Sequence, residues 1–119
     1  MFELLETDLF KVVETNLMNC KAKFFVNLEE YYFGLYIDKK YMNKKEDIIK
    51  NVLKDEKERI KYILNEWKNN NIIKIKRLNS LDIGKIKAYK TDLGTNIYID
   101  PYTKDNDILD IIIANIQRG

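Results

Sequence analysis

The chain has 119 residues, a formal net charge of +2, and 45% hydrophobic and 34% charged residues. That length and composition predict a single folded domain over residues 1–119 and exclude disordered or repetitive chains. With no histidine, one cysteine (Cys20) and one serine (Ser80), the sequence excludes Ser-His-Asp and Cys-His nucleophiles, histidine-dependent nucleases and a structural zinc site.

The N-terminal segment places Phe2, Leu5, Leu9, Val12, Val13 and Leu17 at three-and-four spacing, which predicts an amphipathic helix. Phe24, Phe25 and Val26 have strand propensity and predict a short strand. The next stretch, residues 28–38, places Leu28, Tyr31, Tyr32, Leu35 and Tyr36 at helical spacing; its aromatic richness suits a hairpin strand as well, and helix is the expectation. Asn43 and Glu46 have capping-box spacing and open a helical pattern that runs to about Asn70. Within it a polar gap, Lys54 to Arg59, allows either one long helix or a helix-turn-helix. Asn69, Asn70 and Asn71 end that region, since asparagine tolerates the left-handed conformation of a C-cap.

Period-two alternation then predicts strands at residues 73–76, 83–90 and 96–100, a three-stranded antiparallel meander or wing over 72–100. Pro101 stops the last strand, and Asp105 to Asp107 open a C-terminal helix carrying Ile108, Leu109, Ile112, Ile113 and Ile116 on one face. The expected fold is therefore α+β: N-terminal helix, central helical region 43–70, antiparallel sheet, C-terminal helix. No internal repeat, linker or low-complexity segment is evident.

Residues 28–90 resemble the winged helix-turn-helix domain in its MarR-type arrangement. Leu35 to Ile37 would end the first helix, while Asp47, Ile48, Ile49 and Leu53 would form the second. Ile60, Ile63, Leu64 and Trp67 would bury the recognition helix, Asn71 would stand where the family has a terminating glycine, and Ile73 would start the wing. Asp55, Glu56 and Glu58 depart from the pattern, because they set negative charge at the end of the recognition helix that approaches phosphates. The resemblance implies a DNA-binding regulator, with the helix around Lys57, Lys61 and Tyr62 nearer the bases and the wing on the backbone.

The basic stripe of Lys74, Lys76, Arg77, Lys85, Lys87 and Lys90 faces only Asp82 in its stretch of sequence. Alternation sets Lys74 and Lys76 opposite Ile73 and Ile75, and Lys85, Lys87 and Tyr89 opposite Ile86 and Ala88, so the lysines share one face if these strands pair. Clustered like charge on a sheet is unfavourable unless an anion relieves it, which makes nucleic acid the expected partner. An acidic protein surface is the alternative, as for a compact interaction or inhibitor protein of viral origin. Tyr31, Tyr32, Tyr36 and Tyr41 offer a stacking platform for bases, or half-buried core. Asp100, Asp105, Asp107 and Asp110 lack the glycine and terminal glutamate of a calcium loop and read as helix-capping charge.

No catalytic apparatus, metal or cofactor is expected. The apolar faces around Leu9, Val13, Ile108, Ile112, Ile113 and Ile116 predict a homodimer through the terminal helices. The longest apolar run, Ile111 to Ala114, is far too short to cross a bilayer, and an acidic N-terminus with a lone cysteine predicts a reducing, cytoplasmic setting. Ile, Lys and Asn supply 48 of the 119 residues, a bias that AT-rich codons produce and that fits archaeal, low-GC bacterial or viral genomes.

Overall fold

The computed structural model describes residues 9–79 and 86–116. Its first sheet joins β1 (Phe10–Thr15), β2 (Ala22–Asn27) and β3 (Tyr32–Asp38) in the order β1-β3-β2, with β1 parallel and β2 antiparallel to β3. The helix expected from the N-terminus to Leu17 is thus replaced by a strand over its described part. Val12, Val13 and Thr15 are β-branched and stiff in a helix, and pairing with β3 satisfies their backbone. Residues 28–38 likewise do not form a helix. The Asn27 side chain accepts the N–H groups of Glu29 (2.9 Å) and Glu30 (2.7 Å), Tyr31 takes a positive φ of 59°, and the chain returns as the central strand. Strand alternation then buries Phe33, Leu35 and Ile37 completely.

At the end of β3, Asp38 accepts the Lys40 N–H at 3.0 Å and starts a 3-10 segment, Lys39–Lys44. The expected Asn43 cap is displaced, because the chain has already begun to coil at Asp38. Two helices follow, α1 (Lys45–Asp55) and α2 (Lys57–Asn69), with Glu56 alone between them. The Glu56 N–H donates to the Val52 carbonyl (2.8 Å) and the Ile60 N–H to the Glu56 carbonyl (2.9 Å), so helical hydrogen bonding continues across the interruption. Of the two arrangements that the polar gap allowed, the chain takes two helices, with the break at Glu56 inside Lys54 to Arg59 and only one residue long. α2 ends in a Schellman motif: the Ile72 N–H reaches the Trp67 carbonyl (2.8 Å), the Asn71 N–H reaches the Lys68 carbonyl (3.1 Å), and Asn71 holds φ at 61°.

The second sheet contains β4 (Ile73–Arg77), β5 (Ile86–Thr91) and β6 (Gly94–Ile99) in the order β4-β6-β5. It is mixed rather than the expected antiparallel meander: β4 runs parallel to β6, and only β5 is antiparallel to it. Local alternation predicts strands without fixing which neighbour each one takes, so this pairing was open to the sequence pattern. A short 3-10 turn, Asp105–Asp107, leads into α3 (Ile108–Ile116).

The two sheets repeat one another in order, direction and register. Phe10 opposite Phe33 corresponds to Ile73 opposite Thr95, and Ala22 opposite Ile37 corresponds to Ile86 opposite Ile99. The Phe33 N–H to Leu9 carbonyl bond and the Thr95 N–H to Ile72 carbonyl bond, both 2.9 Å, match as well. Each central strand ends in Tyr-Ile-Asp, residues 36–38 and 98–100, and each aspartate accepts the N–H two residues on, Lys40 or Tyr102. Little of this is visible in the sequence, because the hairpin loops differ in length and the matched strands share, besides that tripeptide, only single lysines, Lys11 with Lys74 and Lys23 with Lys87.

One core lies between the sheets and the helices. Leu53, Ile60, Leu64 and Trp67 of α1 and α2 join Phe33, Leu35 and Ile37 of the first sheet and Ile97, Ile99, Ile112 and Ile113 of the second half. Trp67 packs on Phe33 with ring centroids 5.0 Å apart and meets Tyr31 edge-on at 5.7 Å. α2 and α3 are tied by Asp110, which lies 3.3 Å from Lys57 Nζ and 3.4 Å from Lys61 Nζ. Burial pushes the Asp110 carboxyl up, but the two ammonium groups outweigh it and hold the group below the ordinary carboxylate value.

On the solvent side of the first sheet, Gly34 leaves the space that the tip of the Phe25 ring occupies. A Cβ at position 34 would come within 2.0 Å of Phe25 Cζ. Gly34→Ala is expected to lift that ring off Tyr36 and to cost about 1–3 kcal/mol of stability. A denaturation midpoint that does not move would contradict this packing.

Candidate nucleic-acid interface

The inner face of the second sheet is apolar and buried, with Ile73, Ile86, Ala88, Ile97 and Ile99 turned into the core. Strand alternation therefore turns the intervening residues outward. They form two rows across the strands, Lys76–Tyr98–Lys87 and Lys74–Asn96–Tyr89. Tyr98 occupies the centre, with Lys76 Nζ 5.9 Å from its ring centroid and Tyr89 edge-on to it at 5.8 Å. Tyr89 is 52% exposed. None of the three strands carries an aspartate or glutamate.

Four residues expected in the site, Lys74, Lys76, Lys87 and Tyr89, are therefore brought onto one face. They gather for a reason the sequence did not give. β4 and β5 do not pair; β6 lies between them, so the lysines flank Tyr98 and Asn96 rather than stand directly opposite one another. This separates the like charges by two strand spacings, about 10 Å, and removes much of the repulsion that direct pairing would bring. Tyr98 and Asn96 went unnamed at the sequence level because only the strand order puts them at the centre.

The other expected residues lie elsewhere. Arg77 donates from Nη1 to the Asp100 carbonyl (3.0 Å) and from Nη2 to Asp105 Oδ1 (2.8 Å), closing the end of the sheet. Lys90 is opposite Thr95, on the inward-pointing register at the far end of β5, and lines a cleft with Glu29, Glu30 and Asn71. Lys85 lies outside the described residues. Lys57 and Lys61 are held at Asp110 between α2 and α3, and Tyr62, 67% exposed, stands on the same helix; the helices cover the opposite face of the sheet.

Of the residues expected at a dimer interface, Leu9, Ile108, Ile112, Ile113 and Ile116 are buried within this chain's own core, and only Val13 is exposed, at 41%. Their apolar faces belong to the core that the sheets and helices share, with α3 packed on α2. The acidic residues near the C-terminus are dispersed. Asp100 receives the Tyr102 and Thr103 N–H groups, each at 2.8 Å, Asp105 pairs with Arg77, and Asp110 with the α2 lysines. Among the described residues no three aspartate, glutamate or cysteine side chains gather where a metal ion would sit. No helix among them is long and apolar enough to cross a membrane.

Compared with family models, curated proteins and solved structures, the chain matches none.

Proposed function

We propose that this chain binds nucleic acid, without catalysing a reaction on it, through the solvent face of β4, β6 and β5. The observation that carries this reading is the lysine–tyrosine–lysine row, Lys76–Tyr98–Lys87, on a face whose strands contain no carboxylate. Three lysines, Lys74, Lys76 and Lys87, supply the charge that phosphates neutralise, and Tyr89 and Tyr98 supply ring surface for bases. A sheet offers this broadly and flatly, whereas bases inside a duplex are already stacked on each other. Single strands are therefore the favoured ligand.

The test is a titration with a labelled single-stranded oligothymidylate at several salt concentrations. Three phosphate contacts predict a slope of log affinity against log salt of about −2, since each contact on a single strand contributes roughly 0.7. Duplex of the same length is expected to bind more weakly. Absence of binding at low salt, or affinity indifferent to salt, overturns the reading and leaves an acidic protein surface as the partner that the lysines fit.

A further inference from the structure

The register equivalence of the two sheets applies to their outer faces as well as to their cores. Lys11 on β1 occupies the position of Lys74 on β4, Lys23 on β2 that of Lys87 on β5, Phe25 that of Tyr89, and Tyr36 that of Tyr98. In both sheets an aromatic ring of the antiparallel edge strand leans on the central tyrosine: Phe25 on Tyr36 at 4.5 Å between centroids, Tyr89 on Tyr98 at 5.8 Å. Lysine adjoins the rings in both, with Lys11 Nζ 4.2 Å from the centroid of Tyr32 and Lys76 Nζ 5.9 Å from that of Tyr98. The faces differ at Val13, which replaces Lys76, and at Gly34, which replaces Asn96. At the second difference Gly34 leaves space that the Phe25 ring fills, since a Cβ there would meet that ring.

Nothing in the core demands this match. Lys11, Lys23, Phe25 and Tyr36 point away from the buried side, where Phe33, Leu35 and Ile37 meet α2. Of the carboxylates in the first sheet, Asp38 is buried against the Lys40 N–H, and Glu14 is on the other register of β1. The first sheet thus presents lysine and aromatic surface without a competing anion.

We propose that the outer face of the first sheet is a second platform for single-stranded nucleic acid, equivalent to that on the second sheet, so that one chain engages two stretches of strand. This rests on the reading of the second sheet given above. It adds a site centred on Phe25 and Tyr36, with Lys11 and Lys23 as its phosphate contacts. With one lysine fewer, the first platform is the weaker and the less salt-sensitive of the two.

The experiment is a count of short strands per chain. An oligothymidylate of about eight nucleotides, within the span of one small binding surface, is titrated into the intact protein at low salt and followed by calorimetry and native mass spectrometry. Two strands per chain are expected. Lys11→Glu with Lys23→Glu is expected to reduce the count to one and to leave the stronger site's affinity within twofold; Lys76→Glu with Lys87→Glu is expected to leave only the weaker site. Lys11→Gln with Lys23→Gln repeats the first measurement with milder changes, and circular dichroism checks each variant's fold. One strand per chain in the unmodified protein, or a count of two that the Lys11 and Lys23 changes leave intact, overturns the second platform. Those outcomes differ from failure of the reading beneath it, in which no salt-dependent binding is seen or the Lys76 and Lys87 changes have no effect.

Discussion

Tyr98→Ala is expected to weaken single-strand binding at the second sheet about 5- to 150-fold, the equivalent of about 1–3 kcal/mol for one stacked base. Tyr98 is the central residue of the face, between Lys76 and Lys87 in the strand register and in ring contact with Tyr89, so its loss removes the ring at the middle of the row. The salt slope should stay as it was, because no phosphate contact is lost. Lys76→Glu with Lys87→Glu should do the reverse and flatten the slope by roughly 0.7, since the site with three lysine contacts is lost and the one with two remains, in addition to weakening binding. Fluorescence anisotropy at four or five salt concentrations separates the two behaviours. If both variants shift affinity and slope alike, the division between stacking and phosphate contact is wrong.

Trp67→Ala should be among the most destabilising single changes in the chain, at about 3–5 kcal/mol. The side chain is 4% exposed and packs against Phe33 and Tyr31. It joins the end of α2 to the first sheet just before Asn71 turns the chain into β4. A domain of this size is stable by about 5–15 kcal/mol in total, so the loss is a large share. Urea unfolding followed by circular dichroism measures it; tryptophan fluorescence cannot, since Trp67 is the only tryptophan. A loss below about 1 kcal/mol would mean that the two halves do not depend on this contact.

Much of the second half was legible in the sequence. The helix over residues 108–116, the α2 face of Ile60, Leu64 and Trp67, and the end of that helix at Asn71 all follow from spacing and from asparagine's tolerance of positive φ. In the first half only the strand at Phe24, Phe25 and Val26 was, as β2. Val12 and Val13 satisfy helical and strand patterns equally over so short a stretch, and what decides between them is β3, more than fifteen residues away. Tyr32 and Tyr36 fit one helical face, yet they stand on the solvent side of a strand whose alternate residues, Phe33 and Leu35, are buried.

The candidate site divides along the same line. Lys74, Lys76, Lys87 and Tyr89 come from local alternation and could be named from it. Tyr98 could not, since its central place depends on β4 pairing in parallel with β6 instead of with β5. Lys11, Lys23 and Phe25 are harder still. They acquire meaning only beside their counterparts in the second sheet, and the only contiguous trace of that relation in the sequence is the repeated Tyr-Ile-Asp.

The strand order also decides which backbones are left open to other molecules. Among the described residues β1 and β2 are the outer strands of one sheet and β4 and β5 those of the other, and every lysine of the six strands belongs to an outer strand: Lys11, Lys23, Lys74, Lys76, Lys87 and Lys90. The central strands, β3 and β6, have none. An open edge can template pairing with another chain, and lysine there opposes it by bringing charge into any such contact. The lysines therefore guard the protein against its own aggregation whether or not a strand of nucleic acid is bound. Removing their charge would expose the edges, whereas reversing it to glutamate keeps them guarded, which makes charge reversal the cleaner probe of binding.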